Sequence, residues 1–397
     1  MPLRIVRFVL VALAIVAMPA AAADYSRAGP YEVDSSTVTV KRADDSTFEA
    51  LLYVPGPAQS SAPFPAITFG HGFLTPPGLY DVTLEHLASW GYVVIATKSG
   101  LEPFPRHDLY ALDMLDCLGF LEAETSRPGS SLFGTIDTNR FGASGHSMGG
   151  GASILAAAMD TRVRVVANMA AANTRPSAQA VAAVLDIPTC YLAGSEDRIA
   201  PLDRHTGPIF EGTRAPALLA VIQGGSHCGF VGVPLPDAVC DEATMPLERQ
   251  LALSHHLLTA FFELYLRGRN EVWQDVWGLP LVLSPEWAVD PNPGSVIAPY
   301  AVVRRARSGQ VIEVPFRVMN PGTEAASFML DAAGTLVVES IAPRRTALLQ
   351  PGEEAHVTVR ASLAPGSRVA GFLQVSAFEE DDPKSRSVSA LILRRAR

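Results

Sequence analysis

Phe141-Gly142-Ala143-Ser144-Gly145-His146-Ser147-Met148-Gly149-Gly150-Gly151-Ala152 decides the fold. Phe141–Ser144 reads as a buried strand, and the run from Gly149 to Met159 as a helix of small residues. Between them lies Gly145-His146-Ser147-Met148-Gly149, a G-x-S-x-G string at a strand-to-helix turn. A serine held on so sharp a turn has its hydroxyl thrust out of the backbone. The close approach of backbone on either side leaves no room for side chains at the two flanking glycines. The helix that starts here also points its positive dipole end at any negative charge forming nearby.

Outward from this stretch the pattern repeats. Short strands are expected at Val38–Val40 and Leu51–Val54, then buried strands at Ala66–Phe69, Tyr92–Thr97, Val163–Asn168, Cys190–Ala193 and Leu218–Ile222. Helices are expected at Thr83–Trp90, at Asp108–Glu122 with Leu109, Leu112, Leu115 and Leu118 recurring on one stripe, and at Leu247–Leu266. Near-continuous apolar strands alternating with helices imply a mostly parallel sheet covered on both faces.

A serine hydroxyl needs a base to become a nucleophile, and the base needs an orienting acid. If the chain order is serine, acid, histidine, the base follows Ser147. His227, in Gly224-Gly225-Ser226-His227 just past the strand ending at Ile222, fits that place. His255 and His256 fall inside a helix, His356 in the C-terminal region, and His205 ahead of the last strand. Asp197, in Leu192-Ala193-Gly194-Ser195-Glu196-Asp197, stands in the turn after the preceding strand and is favoured as the acid over Glu196, with Asp203 in reserve. Acyl transfer also needs donors for an oxyanion. The backbone N–H of Met148 supplies one and that of Phe73, in Phe69-Gly70-His71-Gly72-Phe73, the second; His71 reads as a loop-shaping residue.

At Asp290-Pro291-Asn292-Pro293-Gly294 the pattern changes, and two prolines with a glycine read as a linker. Beyond it Ile312, Val314, Phe316 and Val318 alternate with polar residues, as do Val357 and Val359. Turn signals stand at Asn320-Pro321-Gly322, Gln350-Pro351-Gly352 and Ala364-Pro365-Gly366, and the acidic run Glu379–Asp382 reads as a solvated turn. This is the pattern of a small β-sandwich. The expected division is a leader over 1–23, a catalytic domain over 24–290 and a β-sandwich over 295–397.

The leader rests on Arg4 and Arg7, the apolar stretch Phe8–Met18, Pro19 and the small-residue site Ala21-Ala22-Ala23. The apolar run is short for a membrane span, so a secreted or periplasmic protein with no transmembrane segment in the mature chain is expected. The chain has 397 residues, 48% hydrophobic and 18% charged, enough apolar material for a large core. A net charge of −9 argues against nucleic acid as the main partner. Export admits disulfides. Cys228 and Cys240, close in sequence with glycine and proline between them, are the favoured pair, while Cys117 and Cys190 read as buried thiols. No cysteine or histidine spacing suits zinc, so neither a metal nor a cofactor is expected.

Together these residues resemble a known family. Gly145-His146-Ser147-Met148-Gly149-Gly150-Gly151, Gly194-Ser195-Glu196-Asp197-Arg198-Ile199-Ala200-Pro201 and Gly224-Gly225-Ser226-His227 are similar to the elbow, acid loop and histidine loop of bacterial cutinases and polyester hydrolases. Phe69-Gly70-His71-Gly72-Phe73 and His86-Leu87-Ala88-Ser89-Trp90-Gly91-Tyr92 resemble chlorophyllases and dienelactone-hydrolase relatives. The resemblance covers Pro65 to Arg267. It implies the α/β-hydrolase fold, the triad Ser147, Asp197 and His227, and hydrolysis of a carboxylic ester, small molecule or polymer, through an acyl-enzyme. Where the polyester hydrolases carry an aromatic clamp, this chain has Ala170-Ala171-Ala172-Asn173-Thr174-Arg175-Pro176 with no tryptophan, which speaks against stacking of an aromatic polymer unit. A peptidase or amidase would use the same triad, and a polymer-binding protein could reuse the scaffold. For the C-terminal β domain, a module binding a polymer or the cell surface and a structural cover are both open.

Overall fold

The structure is a computed structural model that describes residues 23–56, 62–214, 216–236, 239–277, 279–292, 296–298, 301–320, 325–350, 353–365, 370–379 and 387–396. Nearly all of the expected leader, together with Pro293, Gly294, Pro321, Gly322, Pro351, Gly352, Gly366 and the run from Glu380 to Asp382, lies outside the described residues.

The chain begins with strands β1 (Val33–Lys41), β2 (Thr47–Pro55) and β3 (Phe64–Gly70), then α1 (Asp81–Ser89), β4 (Val93–Thr97), α2 (His107–Ser126), β5 (Ile136–His146) and α3 (Met148–Met159). It continues through β6 (Val163–Met169), α4 (Ala178–Ala182), β7 (Thr189–Gly194), α5 (Thr206–Gly212), β8 (Ala217–Ile222), α6 (Leu247–Tyr265), α7 (Trp273–Trp277), α8 (Leu279–Val282) and β9 (Trp287–Asn292). These nine strands form one sheet in the order β1-β2-β4-β3-β5-β6-β7-β8-β9. β4, β3, β5, β6, β7 and β8 run parallel; the β1–β2, β2–β4 and β8–β9 pairs are antiparallel. β3, β4, β7 and β8 are buried at every residue, because helices cover both faces. Side chains from α1 and α6 fill the core on one face, and those from α2 and α3 the core on the other.

Two readings need adjusting. The proposed linker begins inside a strand: Asp290, Pro291 and Asn292 belong to β9, which pairs with β8 at the sheet's edge. An edge strand tolerates proline, because one row of its N–H groups has no partner strand. The leucine stripe of α2 also drifts. Leu115 and Leu118 are buried, but Leu109 and Leu112 are exposed. Steps of three residues fall about 60° short of a full turn each time, so such a stripe winds around the helix. The buried face is carried by Tyr110, Ala111, Met114, Cys117, Leu118 and Leu121.

The remaining strands are β10 (Val296–Ala298), β11 (Ala301–Ala306), β12 (Ile312–Met319), β13 (Phe328–Gly334), β14 (Leu336–Ala342), β15 (Glu354–Leu363), β16 (Ala370–Glu379) and β17 (Ser387–Arg395). They make two four-stranded sheets, β10-β12-β15-β14 and β11-β17-β16-β13. Val314, Phe316, Val357 and Val359 of one sheet share a core with Leu373, Val375, Leu391 and Leu393 of the other. Alternating strands bury one face each, and two such faces make a sandwich. Cys117 and Cys190 are free and buried. Among the described residues no helix is long and apolar enough to cross a membrane.

One packing detail sets an acid limit on stability. His86 of α1 and His255 of α6 stack at 4.2 Å between ring centroids, each bonded at 3.0 Å to a threonine of the opposite helix, Thr259 and Thr83. Burial lowers His86 to about 4; burial and then the neighbouring His86 lower His255 to about 3. The unfolded chain therefore binds more protons than the folded one between these values and the ordinary histidine range, so stability rises with pH there. Stability from this pair should be complete above about pH 6.5, fall as pH drops toward 4 and level off below about 3, with about 3 kcal/mol at stake for His86 and about 5 kcal/mol for His255. Thermal midpoints of wild type and the His86→Gln/His255→Gln variant, measured from pH 7 to 3, check this. An identical acid slope in both would refute it.

Candidate active site

β5 ends at His146, and Ser147 follows with φ 55° and ψ −119°, a left-handed conformation rare outside glycine. Three backbone hydrogen bonds hold it there. Its N–H donates to the Met169 carbonyl at 3.0 Å, and its own carbonyl accepts from Gly151 at 3.1 Å and Ala172 at 2.9 Å. Such strain costs about 1–3 kcal/mol and persists only when the surroundings over-determine it. The flanking glycines are required by contact. A Cβ on Gly149 would lie 2.0 Å from the Gly70 carbonyl oxygen, and one on Gly145 would lie 2.5 Å from the Gly149 carbonyl. The start of α3 thus packs backbone against backbone on the end of β3. As the first residue of α3, Met148 has an N–H with no acceptor inside the helix.

The candidate acid and base meet. Nδ1 of His227 lies 2.8 Å from Oδ2 of Asp197, and both side chains are buried. Oδ1 of Asp197 accepts from the amides of Ile199 at 3.0 Å and Ala200 at 2.7 Å, which fixes the carboxylate's orientation. Glu196 turns away, accepting from the N–H and hydroxyl of Thr244. His71 is buried, with ring nitrogens at 2.8 Å from the Gly72 carbonyl and 2.7 Å from that of Ser99, so it shapes its loop. His205 accepts from the Asn173 amide at 3.1 Å.

Ser147 and His227 line one cavity of about 440 Å³, together with the Gly72-Phe73 loop. The rest of its lining is mostly aliphatic, Leu74, Leu79, Ile199, Val231, Leu235 and Val239, with Thr75, His146 and Cys228. Phe73 is 49% exposed and, among the described residues, is the one phenylalanine in the lining. A larger depression of about 630 Å³, bordered by Arg42, Asp113 and Arg106, lies away from these residues and holds none of them. No group of three metal-ligating side chains occurs among the described residues.

Three supports hold the histidine loop, and two of them, Asp241 and Gln250, were not evident in the sequence. Cys228 and Cys240 form a disulfide, which the spacing suggested. Asp241, next to Cys240, adds a second tie: its Oδ2 accepts from the amides of Arg198 at 2.9 Å and His227 at 3.3 Å, bridging the acid and histidine loops. Gln250 of α6, fully buried, exchanges two hydrogen bonds with the backbone of Ser226 at 3.0 and 2.8 Å. A polar residue on the buried face of an amphipathic helix was the only available signal for Gln250.

Comparison with known proteins gives the chain a family. Residues 12–232, more than half the chain, match the family described as PET hydrolase-like. The chain belongs to the PET hydrolase-like family. The match takes in Phe73, Ser147, Met148, Asp197 and His227, and ends before Cys240 and the sandwich. Among curated relatives, the chain is 30% identical over 186 residues to a bis(hydroxyethyl) terephthalate hydrolase of Streptomyces coelicolor, covering 46% of this chain and 56% of that protein. It is 24% identical to Lipase 1 of a Moraxella species, over 50% of this chain and 59% of the lipase. It is 25% identical to Cutinase est1 of Thermobifida alba, over 47% of this chain and 58% of the cutinase. The chain therefore spans little more than half the length of these relatives.

Proposed function

We propose that the protein is an exported serine hydrolase of carboxylic esters that works through an acyl-enzyme. One observation carries the reading: Ser147 sits on a left-handed elbow and lines the same cavity as His227, whose Nδ1 is bonded to Asp197. In the proposed mechanism the Ser147 hydroxyl attacks the ester carbonyl while His227 Nε2 takes its proton. The oxyanion is held by the N–H groups of Met148 and Phe73. The tetrahedral adduct collapses, the C–O bond breaks, and His227 returns the proton to the departing alcohol. Water then attacks the acyl-serine with His227 again as base, releasing the acid and restoring Ser147. Asp197 orients His227 and stabilises the imidazolium.

The names of the relatives, a bis(hydroxyethyl) terephthalate hydrolase, a lipase and a cutinase, support the reaction class. The aliphatic cavity walls favour a flexible alkyl or acyl chain over a stacked aromatic ring, because flat rings gain most from aromatic partners. Export is supported by the leader pattern over residues 1–23 and by the disulfide, which persists in oxidising compartments. The test is a series of p-nitrophenyl esters of increasing acyl length beside a fluorogenic peptide panel. Turnover of the esters, rising with acyl length until the cavity is filled, is the expected result. Turnover of peptides with none of esters at any length would overturn the reading.

A further inference from the structure

We propose that Tyr80 is a positioning residue of the hydrolytic centre, its hydroxyl coupling the Gly72-Phe73 loop to His146 and, through that ring, to His227. The proposal rests on the ester-hydrolase reading. Tyr80 ends a short 3₁₀ turn, Pro77–Tyr80, and is fully buried. Its hydroxyl accepts from the Gly72 N–H at 3.1 Å and lies 2.8 Å from Nδ1 of His146. Burial pushes the phenol well above its ordinary range, so it stays protonated. The Gly72 amide can only donate, and of the two acceptors beside the phenol, the Thr75 hydroxyl and Nδ1 of His146, the ring nitrogen at 2.8 Å takes the phenolic proton in this proposal.

That single bond fixes two things. His146 becomes the Nε2–H tautomer and has no proton on Nδ1. The ring is neutral, since burial and then the adjacent His227 lower its pKa well below the ordinary range, against a smaller opposite pull from the His227 carbonyl. Its centroid is 4.5 Å from that of His227, tilted 48°, and it borders the substrate cavity. A charge on His146 would oppose the imidazolium that His227 must become, so a neutral His146 suits the reaction. On the other side, the Gly72 amide held by Tyr80 sets the position of the next amide, Phe73, which the mechanism uses for the oxyanion. Donor placement within a fraction of an ångström governs that contribution. No space remains around the junction. A Cβ on Gly72 would lie 3.0 Å from the Tyr80 hydroxyl and 3.3 Å from Nδ1 of His146.

Tyr80→Phe removes the hydroxyl and keeps the ring. Active sites are counted by fluorophosphonate titration, and turnover and inhibition by an alkyl boronic acid, which mimics the tetrahedral adduct, are measured per active site. We expect kcat to fall about tenfold with KM within about twofold, and boronate affinity to fall by a similar factor. Gly72→Ala should give the same pattern. The double variant should be no worse than Gly72→Ala alone, because both changes act at one oxygen atom. Unchanged kcat per active site with a lowered melting temperature would make Tyr80 a packing residue and overturn the proposal, as would additive losses in the double variant. Should Tyr80→Phe not fold, unchanged boronate affinity in Gly72→Ala and His146→Gln overturns it instead. Wild-type protein that neither reacts with the fluorophosphonate nor turns over esters would strike the hydrolase reading itself, a result distinct from these.

Discussion

Ser147→Ala is expected to lower kcat for p-nitrophenyl esters on the order of 10⁶-fold while leaving the melting temperature within a few degrees of wild type. The size follows from the unit the serine belongs to. Without the hydroxyl, His227 and Asp197 have no proton to move, and only substrate binding and the oxyanion donors remain, a residual of about 10³–10⁴ over water. The small effect on stability follows from the backbone. Ser147 is held in its left-handed conformation by Met169, Gly151 and Ala172 through main-chain bonds. Alanine keeps all three and meets the same strain. Neighbouring serines offer no easy substitute. The Ser153 hydroxyl is bonded to Asn168 and to the Gly150 carbonyl, and Ser144 is buried at 0% exposure within β5. Steady-state kinetics, a thermal melt and mass spectrometry after fluorophosphonate treatment make the check. The adduct should fall on Ser147 in wild type and vanish in the variant. A variant keeping more than a tenth of wild-type turnover, or an adduct at another serine, would show that the nucleophile lies elsewhere.

The fold was legible where local pattern and tertiary burial coincide. β3, β4, β6, β7 and β8 are apolar runs because both faces of the sheet are covered, so a short window contains the whole signal. The strand-end residues share that legibility: Ser147 follows β5, the central strand of the sheet, and Asp197 and His227 follow β7 and β8 to one side of it, all three strands running parallel. Residues whose role depends on distant partners were not legible. Tyr80 and His146 are 66 positions apart, and Gln250 reaches back 24 to Ser226. Nothing in the Tyr80 segment distinguishes a hub from an ordinary core aromatic. The end of the edge strand β9, Asp290 to Asn292, was read as linker for a related reason. Proline and glycine mark a chain break in a central strand, whereas at an edge the backbone tolerates them, and edge position is a property of the sheet rather than of the segment.

The second large effect is expected from Asp197→Asn, a loss of about 10⁴ in kcat with the site's geometry retained. Asparagine matches aspartate in size, and its amide oxygen can still accept from Ile199 and Ala200, as Oδ1 does now. The group it then presents to Nδ1 of His227 is an NH₂, a donor in place of an acceptor. Nδ1 must accept, its proton moves to Nε2, and the nitrogen facing Ser147 can no longer take the hydroxyl proton. The loss is therefore one of tautomer rather than of position, and it separates Asp197 from its neighbours. Glu196→Gln removes a carboxylate whose contacts are the N–H and hydroxyl of Thr244, so it should change kcat by less than about threefold, and Asp203→Asn likewise. All three variants should melt near wild type and should be compared in one kinetic series on the same ester. A large loss in Glu196→Gln with little in Asp197→Asn would reassign the acid. Equal small losses in all three would mean that His227 works without a carboxylate partner, which the 2.8 Å contact to Asp197 argues against.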